Sequence, residues 1–154
     1  GVVLVKGGWL YLLGGEKGFV DPADYFNDVW RTKDGKHWEL VTENAGWSPR
    51  PGHKCAVLAN HFVCMGGFGI PFNPMDIWVS KDGASWKQVS DSPWNATSPD
   101  DIRYDFDMLT VKGGMGGQKP SIFTFGGDRE TFILPPEVNF FRVENDVWSY
   151  SPVD

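Results

Sequence analysis

The sequence predicts an all-β fold of short strands joined by tight turns, and three observations lead to this prediction. The composition is rich in turn formers and aromatic residues, with 19 Gly, 11 Pro and 8 Trp among 154 residues. Short apolar runs that end in a diglycine occur three times. Runs such as Val2-Val3-Leu4-Val5 are apolar on both faces, which is typical of strands sandwiched between other layers.

The diglycines belong to an internal repeat, which is the most specific signal in the chain. They are Gly14-Gly15, Gly66-Gly67 and Gly126-Gly127. Each is followed further along by an acidic residue, a β-branched residue and a tryptophan, namely Asp28-Val29-Trp30, Asp76-Ile77-Trp78 and Asp146-Val147-Trp148. Trp30 lies 48 residues before Trp78, and Trp38 lies 48 residues before Trp86.

Each repeat unit predicts four short antiparallel strands in chain order. In the first unit we expect strands at 2–5, 10–13, 28–32 and 38–42. In the second unit we expect them at 54–58, 62–65, 76–80 and 86–90. In the third unit we expect 108–111, 121–125 and 146–149, with no fourth strand. The predicted unit boundaries are 1–50, 51–98 and 99–154, the last unit being incomplete.

This pattern resembles the kelch repeat, whose marks are a diglycine ending the second strand and spaced aromatic residues in the third and fourth strands. The resemblance covers nearly the whole chain, but tryptophan replaces the family's usual tyrosine at Trp30, Trp78 and Trp148. It implies a kelch-like β-propeller, here about three four-stranded blades of a six- or seven-bladed ring. Three blades cannot close a ring, so we expect the others to come from a longer parent chain or a second copy.

Long aromatic connections are predicted at one end of the strands. In a four-stranded meander, the second-to-third and fourth-to-first connections fall at the same end. Long loops on a rigid scaffold commonly carry binding sites, and aromatic residues are frequent anchors there. The predicted binding residues are Phe19, Tyr25, Phe26, Phe68, Phe72, Phe132, Phe140 and Phe141. The alternative is that these rings pack locally over the strand ends.

The two cysteines predict a disulfide across a hairpin. With a two-residue turn at Ala59-Asn60, counting outward places Cys55 opposite Cys64. This is a non-hydrogen-bonded position, where Cα atoms lie roughly 4.5 Å apart. Two buried free thiols are the alternative. Asn95-Ala96-Thr97 is a glycosylation sequon, and together with a disulfide it predicts a secreted or cell-surface protein rather than a cytoplasmic one.

Two Lys-Asp-Gly segments predict matching turns between the third and fourth strands. They carry Asp34 and Asp82, followed by Trp38 and Trp86, and look similar to the Asp-box of sialidase-like propellers. We expect each aspartate to accept hydrogen bonds from turn amides, and each tryptophan to pack between blades. This is a structural role and not a catalytic one.

No catalytic constellation is visible in the sequence. The acids Asp100, Asp101, Asp105 and Asp107 near Arg103 lack the spacing of a calcium loop, and we expect solvated loop carboxylates there. The three histidines have no mutual spacing that predicts a metal site, and His53 is expected to line or plug a central channel. We therefore predict no metal and no cofactor.

Charge and hydropathy exclude two classes of partner. The net charge is −6, which argues against nucleic acid, and no apolar stretch has the length of a membrane span. The sequence favours a non-enzymatic binding or scaffold propeller that engages a protein or glycan partner, and membership of a larger assembly is compatible with this interpretation. One alternative is a galactose-oxidase-like or sialidase-like enzyme whose active residues lie outside this segment. Another is an intracellular kelch adaptor.

Overall fold

The computed structural model contains three antiparallel β-sheets. It describes residues 1–18, 21, 24–69, 73–90, 94, 102–113, 119–129 and 143–151. Sheet 1 consists of β1 (Val2–Lys6), β2 (Trp9–Glu16), β3 (Tyr25–Thr32) and β4 (Glu39–Thr42). Sheet 2 consists of β5 (Lys54–Leu58), β6 (His61–Met65), β7 (Ile77–Ser80) and β8 (Lys87–Ser90). Sheet 3 consists of β9 (Asp107–Val111), β10 (Ser121–Asp128) and β11 (Val143–Tyr150).

Each sheet is a meander, because its strands are hydrogen-bonded in chain order. The all-β prediction and the three sheets are confirmed, and β5 has the predicted bounds. The described residues contain no α-helix. None of them belongs to a helix long and apolar enough to span a membrane.

Two second strands are longer than predicted because they continue through their diglycines. β2 reaches Glu16 and β10 reaches Asp128, each with a shift of register at the first glycine. Gly14 has φ +50° and Gly126 has φ +60°, a left-handed conformation that glycine adopts without a steric penalty. The diglycine therefore forms a bulge within the strand in sheets 1 and 3 rather than ending it.

The sheets stack in sequence with their first strands side by side, β1 next to β5 and β5 next to β9. The face of sheet 1 that carries Tyr11, Leu13 and Val29 packs on the face of sheet 2 that carries Phe62 and Cys64. We call the first kind the leading face and the second kind the trailing face. Burial of these residues removes apolar surface from water and holds the pair of sheets together.

The same packing recurs between sheets 2 and 3. The leading face of sheet 2, with Val63, Met65 and Ile77, packs on the trailing face of sheet 3, with Ile122 and Trp148. By register, Tyr11 corresponds to Val63 and Leu13 to Met65, so equivalent positions make equivalent contacts. Each sheet thus presents its leading face to the next sheet along the chain.

One apolar face at each end of the stack has no neighbour among the described residues. On the trailing face of sheet 1, Val3 is 59% exposed and Val5 is 66% exposed. On the leading face of sheet 3, Phe125 is 41% exposed and Val147 is 56% exposed. Their equivalents inside the stack are largely buried, as Met65 and Ile77 are.

Candidate functional site

A pocket of about 110 Å³ lies at the diglycine end of the three sheets. Its lining comes from the two kinds of connection that the sequence placed at one end. Glu16 and Asp128 end the second strands of sheets 1 and 3, and Phe68 follows that of sheet 2. Gly52 and Tyr104-Asp105 precede the first strands of sheets 2 and 3. The meander therefore brings residues from all three units into one site.

Backbone hydrogen bonds fix the segments that form this pocket. Phe68 N donates to Pro51 O at 2.9 Å, and Asp105 N donates to Gly52 O at 3.0 Å. Tyr104 and Asp128 exchange two further bonds, at 3.0 and 2.9 Å. The pocket is therefore held by main-chain contacts among its connections, and the Asp105–Gly52 bond joins the second unit to the third.

Three aromatic rings pack edge to face beneath the pocket. The centroids of Tyr25 and Phe68 are 6.4 Å apart, and those of Phe68 and Tyr104 are 5.6 Å apart. Tyr25 and Phe68 are buried, so these two predicted binding residues form the local packing that the sequence left as the alternative. Phe68 nevertheless lines the pocket, and Phe26 is 37% exposed.

The pocket is acidic. Glu16 and Asp105 are exposed at its rim and Asp128 is half-buried. Within the described ranges none of these three carboxylates forms an ion pair. Burial raises the pKa of the adjacent Tyr25, and the negative charge of Glu16, Asp21 and Asp24 raises that pKa further. The field at this end of the molecule thus favours a cationic group.

Two buried arginines lie behind the pocket, and the sequence analysis did not identify their role. Arg50 Nη2 is 3.0 Å from Asp76 Oδ2, and Arg103 Nη2 is 2.7 Å from Asp146 Oδ2. Each arginine lies four residues before the first strand of its sheet, and each aspartate opens the Asp-x-Trp motif. An arginine four residues before the first strand recurs in units two and three, and this recurrence is the sequence signal that could have revealed them.

The predicted disulfide is present. Cys55 and Cys64 are directly opposite in the β5–β6 register, with bonded sulfur atoms and Cα atoms 4.1 Å apart. The turn residues Ala59 and Asn60 both have positive φ, 46° and 63°, as a two-residue hairpin turn requires. The other predicted site residues, Phe19, Phe72, Asn95, Phe132, Phe140 and Phe141, lie outside the described residues.

The Asp-containing turns have the predicted structure. Asp34 Oδ1 accepts hydrogen bonds from Lys36 N and His37 N, both at 2.8 Å. Asp82 Oδ1 accepts equivalent bonds from the two residues after Gly83, at 2.8 and 2.9 Å. Trp86 packs against Trp47 with centroids 4.3 Å apart, but Trp38 is 39% exposed because it faces the uncovered side of sheet 1.

The described residues supply few groups for chemistry. His53 is buried between sheets 1 and 2, where its ring contacts Trp47, and Arg103 pairs with Asp146. Burial, reinforced by the charge of Arg50, lowers the pKa of His53 to about 3. In the ranges with assigned structure, no group of three His, Cys, Asp or Glu residues could hold a metal ion.

In comparisons with known proteins, no protein-family model and no curated protein matches the chain.

Proposed function

We propose that this chain is a binding module, a segment of a kelch-like β-propeller that holds a basic side chain of a protein partner in the acidic pocket. The observation that carries the proposal is the convergence of Glu16, Asp105 and Asp128 around a floor that includes Phe68 and Tyr104. Aromatic carbon beneath a ring of carboxylates suits a lysine or arginine side chain, whose stem is apolar and whose head is cationic. The net charge of −6 favours the same class of partner by attracting it over a distance.

A charge-neutralised pocket tests this proposal. We would screen the purified chain against arrays of lysine- and arginine-containing peptides, of acetyl-lysine peptides and of glycans. The same screen would be run with Glu16→Gln/Asp105→Asn/Asp128→Asn and with Glu39→Gln, which removes an exposed carboxylate of sheet 1 outside the pocket. We expect binding to basic peptides that falls at least tenfold in the triple variant and persists in the control.

Two outcomes would count against a basic ligand. Equal binding by the triple variant and the unchanged chain would show that the pocket carboxylates do not hold it. Binding of glycans without binding of basic peptides would support a carbohydrate-binding module instead.

The repeated packing of the sheets supports the propeller part of the proposal. The exposed leading face of sheet 3 is built like the leading faces of sheets 1 and 2, each of which packs against the next sheet of the chain. Analytical ultracentrifugation of the isolated chain tests this. We expect concentration-dependent association that is reduced by Val5→Lys or Val147→Lys, because each places a charge on an apolar end face. A strictly monomeric chain with both faces exposed would contradict it.

The disulfide supports a secreted or cell-surface location, since such bonds persist mainly in oxidising compartments. Peptide mass spectrometry of the native, unreduced protein, with and without glycosidase, tests this part separately. A Cys55–Cys64 crosslink with a glycan on Asn95 is the expected result. Free thiols and an unmodified Asn95 would favour the intracellular adaptor.

A further inference from the structure

The Arg–Asp pairs of sheets 2 and 3 reveal an equivalent position in sheet 1 that has no arginine among the described residues. Asp28 opens the same Asp-x-Trp motif as Asp76 and Asp146. Its Oδ2 accepts a hydrogen bond from Trp30 Nε1 at 2.6 Å, just as Asp146 Oδ2 accepts one from Trp148 Nε1 at 2.7 Å. The carboxylate of Asp28 is therefore oriented like that of Asp146.

A second part of the arginine site is also repeated. In sheet 2, Arg50 Nη1 donates to Gly66 O at 3.3 Å as well as to Asp76. In sheet 3, Arg103 Nη1 donates to Gly126 O at 3.4 Å as well as to Asp146. The first glycine of each diglycine thus supplies a carbonyl to the guanidinium. In sheet 1 the corresponding carbonyl belongs to Gly14.

The main chain at Gly1 follows the same course as in the other two units. A Cβ built on Gly15 would lie 2.8 Å from Gly1 N. The equivalent Cβ on Gly67 would lie 3.1 Å from His53 Cβ, and that on Gly127 would lie 2.8 Å from Phe106 Cβ. Gly1, His53 and Phe106 each stand one residue before a first strand. The position four residues ahead of β1, which Arg50 and Arg103 occupy in their units, precedes Gly1.

We infer that Asp28 and the carbonyl of Gly14 form a guanidinium-binding site, which takes an arginine side chain carried four residues ahead of β1. The planar guanidinium matches a carboxylate through two parallel hydrogen bonds, which an ammonium group cannot do. An arginine bound there would link the segment that precedes β1 to β3, as the equivalent arginines do in the other sheets. This inference depends on the equivalence of the repeats and not on the acidic pocket.

An N-terminal extension tests the site. We would join Arg-Pro-Gly, the sequence of 50–52, ahead of Gly1, and compare it with Lys-Pro-Gly and Ala-Pro-Gly extensions. We expect the arginine extension to raise the thermal midpoint by about 2–4 °C relative to alanine, with a smaller gain for lysine. The gain should disappear in Asp28→Asn, and the arginine Nη–H signals in ¹⁵N NMR should become protected only when Asp28 is present.

A parallel arm distinguishes an arginine of the same chain from one supplied by another molecule. The unextended chain is titrated with N-acetyl-arginine amide while the Trp30 indole signal is followed. If only this titration gives a response, and Asp28→Asn abolishes it, the arginine comes from a partner. Equal midpoints for the arginine and alanine extensions, together with no response in the titration, would overturn the inference, as would a gain that survives Asp28→Asn.

Discussion

Arg50 and Asp76 form a bidentate ion pair in which Nη1 lies 2.5 Å from Oδ1 and Nη2 lies 3.0 Å from Oδ2. The arginine side chain is 3% exposed and the aspartate side chain 20% exposed. Arg50 enters sheet 2 and Asp76 immediately precedes its third strand, so the pair joins two segments that are 26 residues apart. The Arg103–Asp146 pair makes the same connection in sheet 3.

Replacing Arg50 by methionine should strongly destabilise the protein. We expect Arg50→Met to lower the free energy of unfolding by about 3 kcal/mol, because it leaves the Asp76 carboxylate without its partner in a largely buried site. Urea denaturation measures the change. Arg31→Met is the matched control, since Arg31 pairs with Glu39 on the surface, where such pairs contribute less than about 1 kcal/mol. Equal losses in the two variants would contradict the prediction.

Removal of the disulfide should also destabilise the protein. The bond joins residues nine apart in sequence, and a loop of this size corresponds to about 2–3 kcal/mol of chain entropy in the unfolded state. We expect Cys55→Ala/Cys64→Ala to lose roughly this amount in urea denaturation, and dithiothreitol to shift the unchanged protein in the same direction. The double variant is its own control, because the reductant should not affect it. An unchanged protein indifferent to reductant would show that the bond contributes little.

Local patterns in the sequence predicted more of this molecule than long-range ones. The hairpin register follows from a two-residue turn, so Cys55 and Cys64 could be paired by counting. The pairing of Arg50 with Asp76 joins two connections, and no periodicity in either segment shows which side chains will meet. Trp38 and Trp86 occupy identical motifs yet differ in exposure, because only the second has a neighbouring sheet in the described part of the chain.

The acidic pocket shows the same division. The meander topology placed the connections of the site at one end, which could be predicted from the repeat. Which aromatic rings face solvent could not be predicted, since Tyr25 and Phe68 are buried by contacts between different connections. The three carboxylates of the pocket come from two units, Glu16 from the first and Asp105 and Asp128 from the third, so only the packing of the sheets brings them together.

The Asp82 turn should tolerate asparagine better than alanine. Asp82 Oδ1 accepts two amide hydrogen bonds, and an asparagine oxygen can accept the same bonds whereas alanine cannot. We expect Asp82→Ala to lower the free energy of unfolding by about 1 kcal/mol, with less than half of that loss for Asp82→Asn. Thermal denaturation at pH 7 measures the loss for both variants.

The same turn should contribute to acid sensitivity. The hydrogen bond from the Ser85 amide lowers the pKa of Asp82 below its usual value of 3.8, and this effect outweighs the opposing effect of burial. A lowered pKa in the folded state gives stability that is present above about pH 4 and is lost as the pH falls below that value. Asp82→Asn should therefore show a smaller loss of thermal midpoint between pH 4 and pH 2 than the unchanged protein. Parallel curves would indicate that the carboxylate charge does not matter.

His53 should make the protein less stable in mild acid. Its Nδ1 lies 3.1 Å from the carbonyl oxygen of Arg50, and burial together with the charge of Arg50 lowers its pKa from 6.5 to about 3. Between these two pH values the unfolded chain binds a proton at His53 that the folded chain does not bind. Stability therefore decreases as the pH falls, by up to about 1.4 kcal/mol per pH unit within this window.

Substitution of phenylalanine for His53 tests this directly, because Phe106 occupies the equivalent position before β9 and is buried there. Urea denaturation of the unchanged protein and of His53→Phe would be compared at pH 7, 6, 5 and 4. We expect the variant to lose less free energy of unfolding between pH 6.5 and 4, since its ring cannot bind a proton in the unfolded state. His61→Gln, which removes an exposed imidazole at the hairpin tip, is the control for losing any histidine. The same pH slope in His53→Phe and the unchanged protein would mean that the buried imidazole is protonated as readily in the folded state as in the unfolded one.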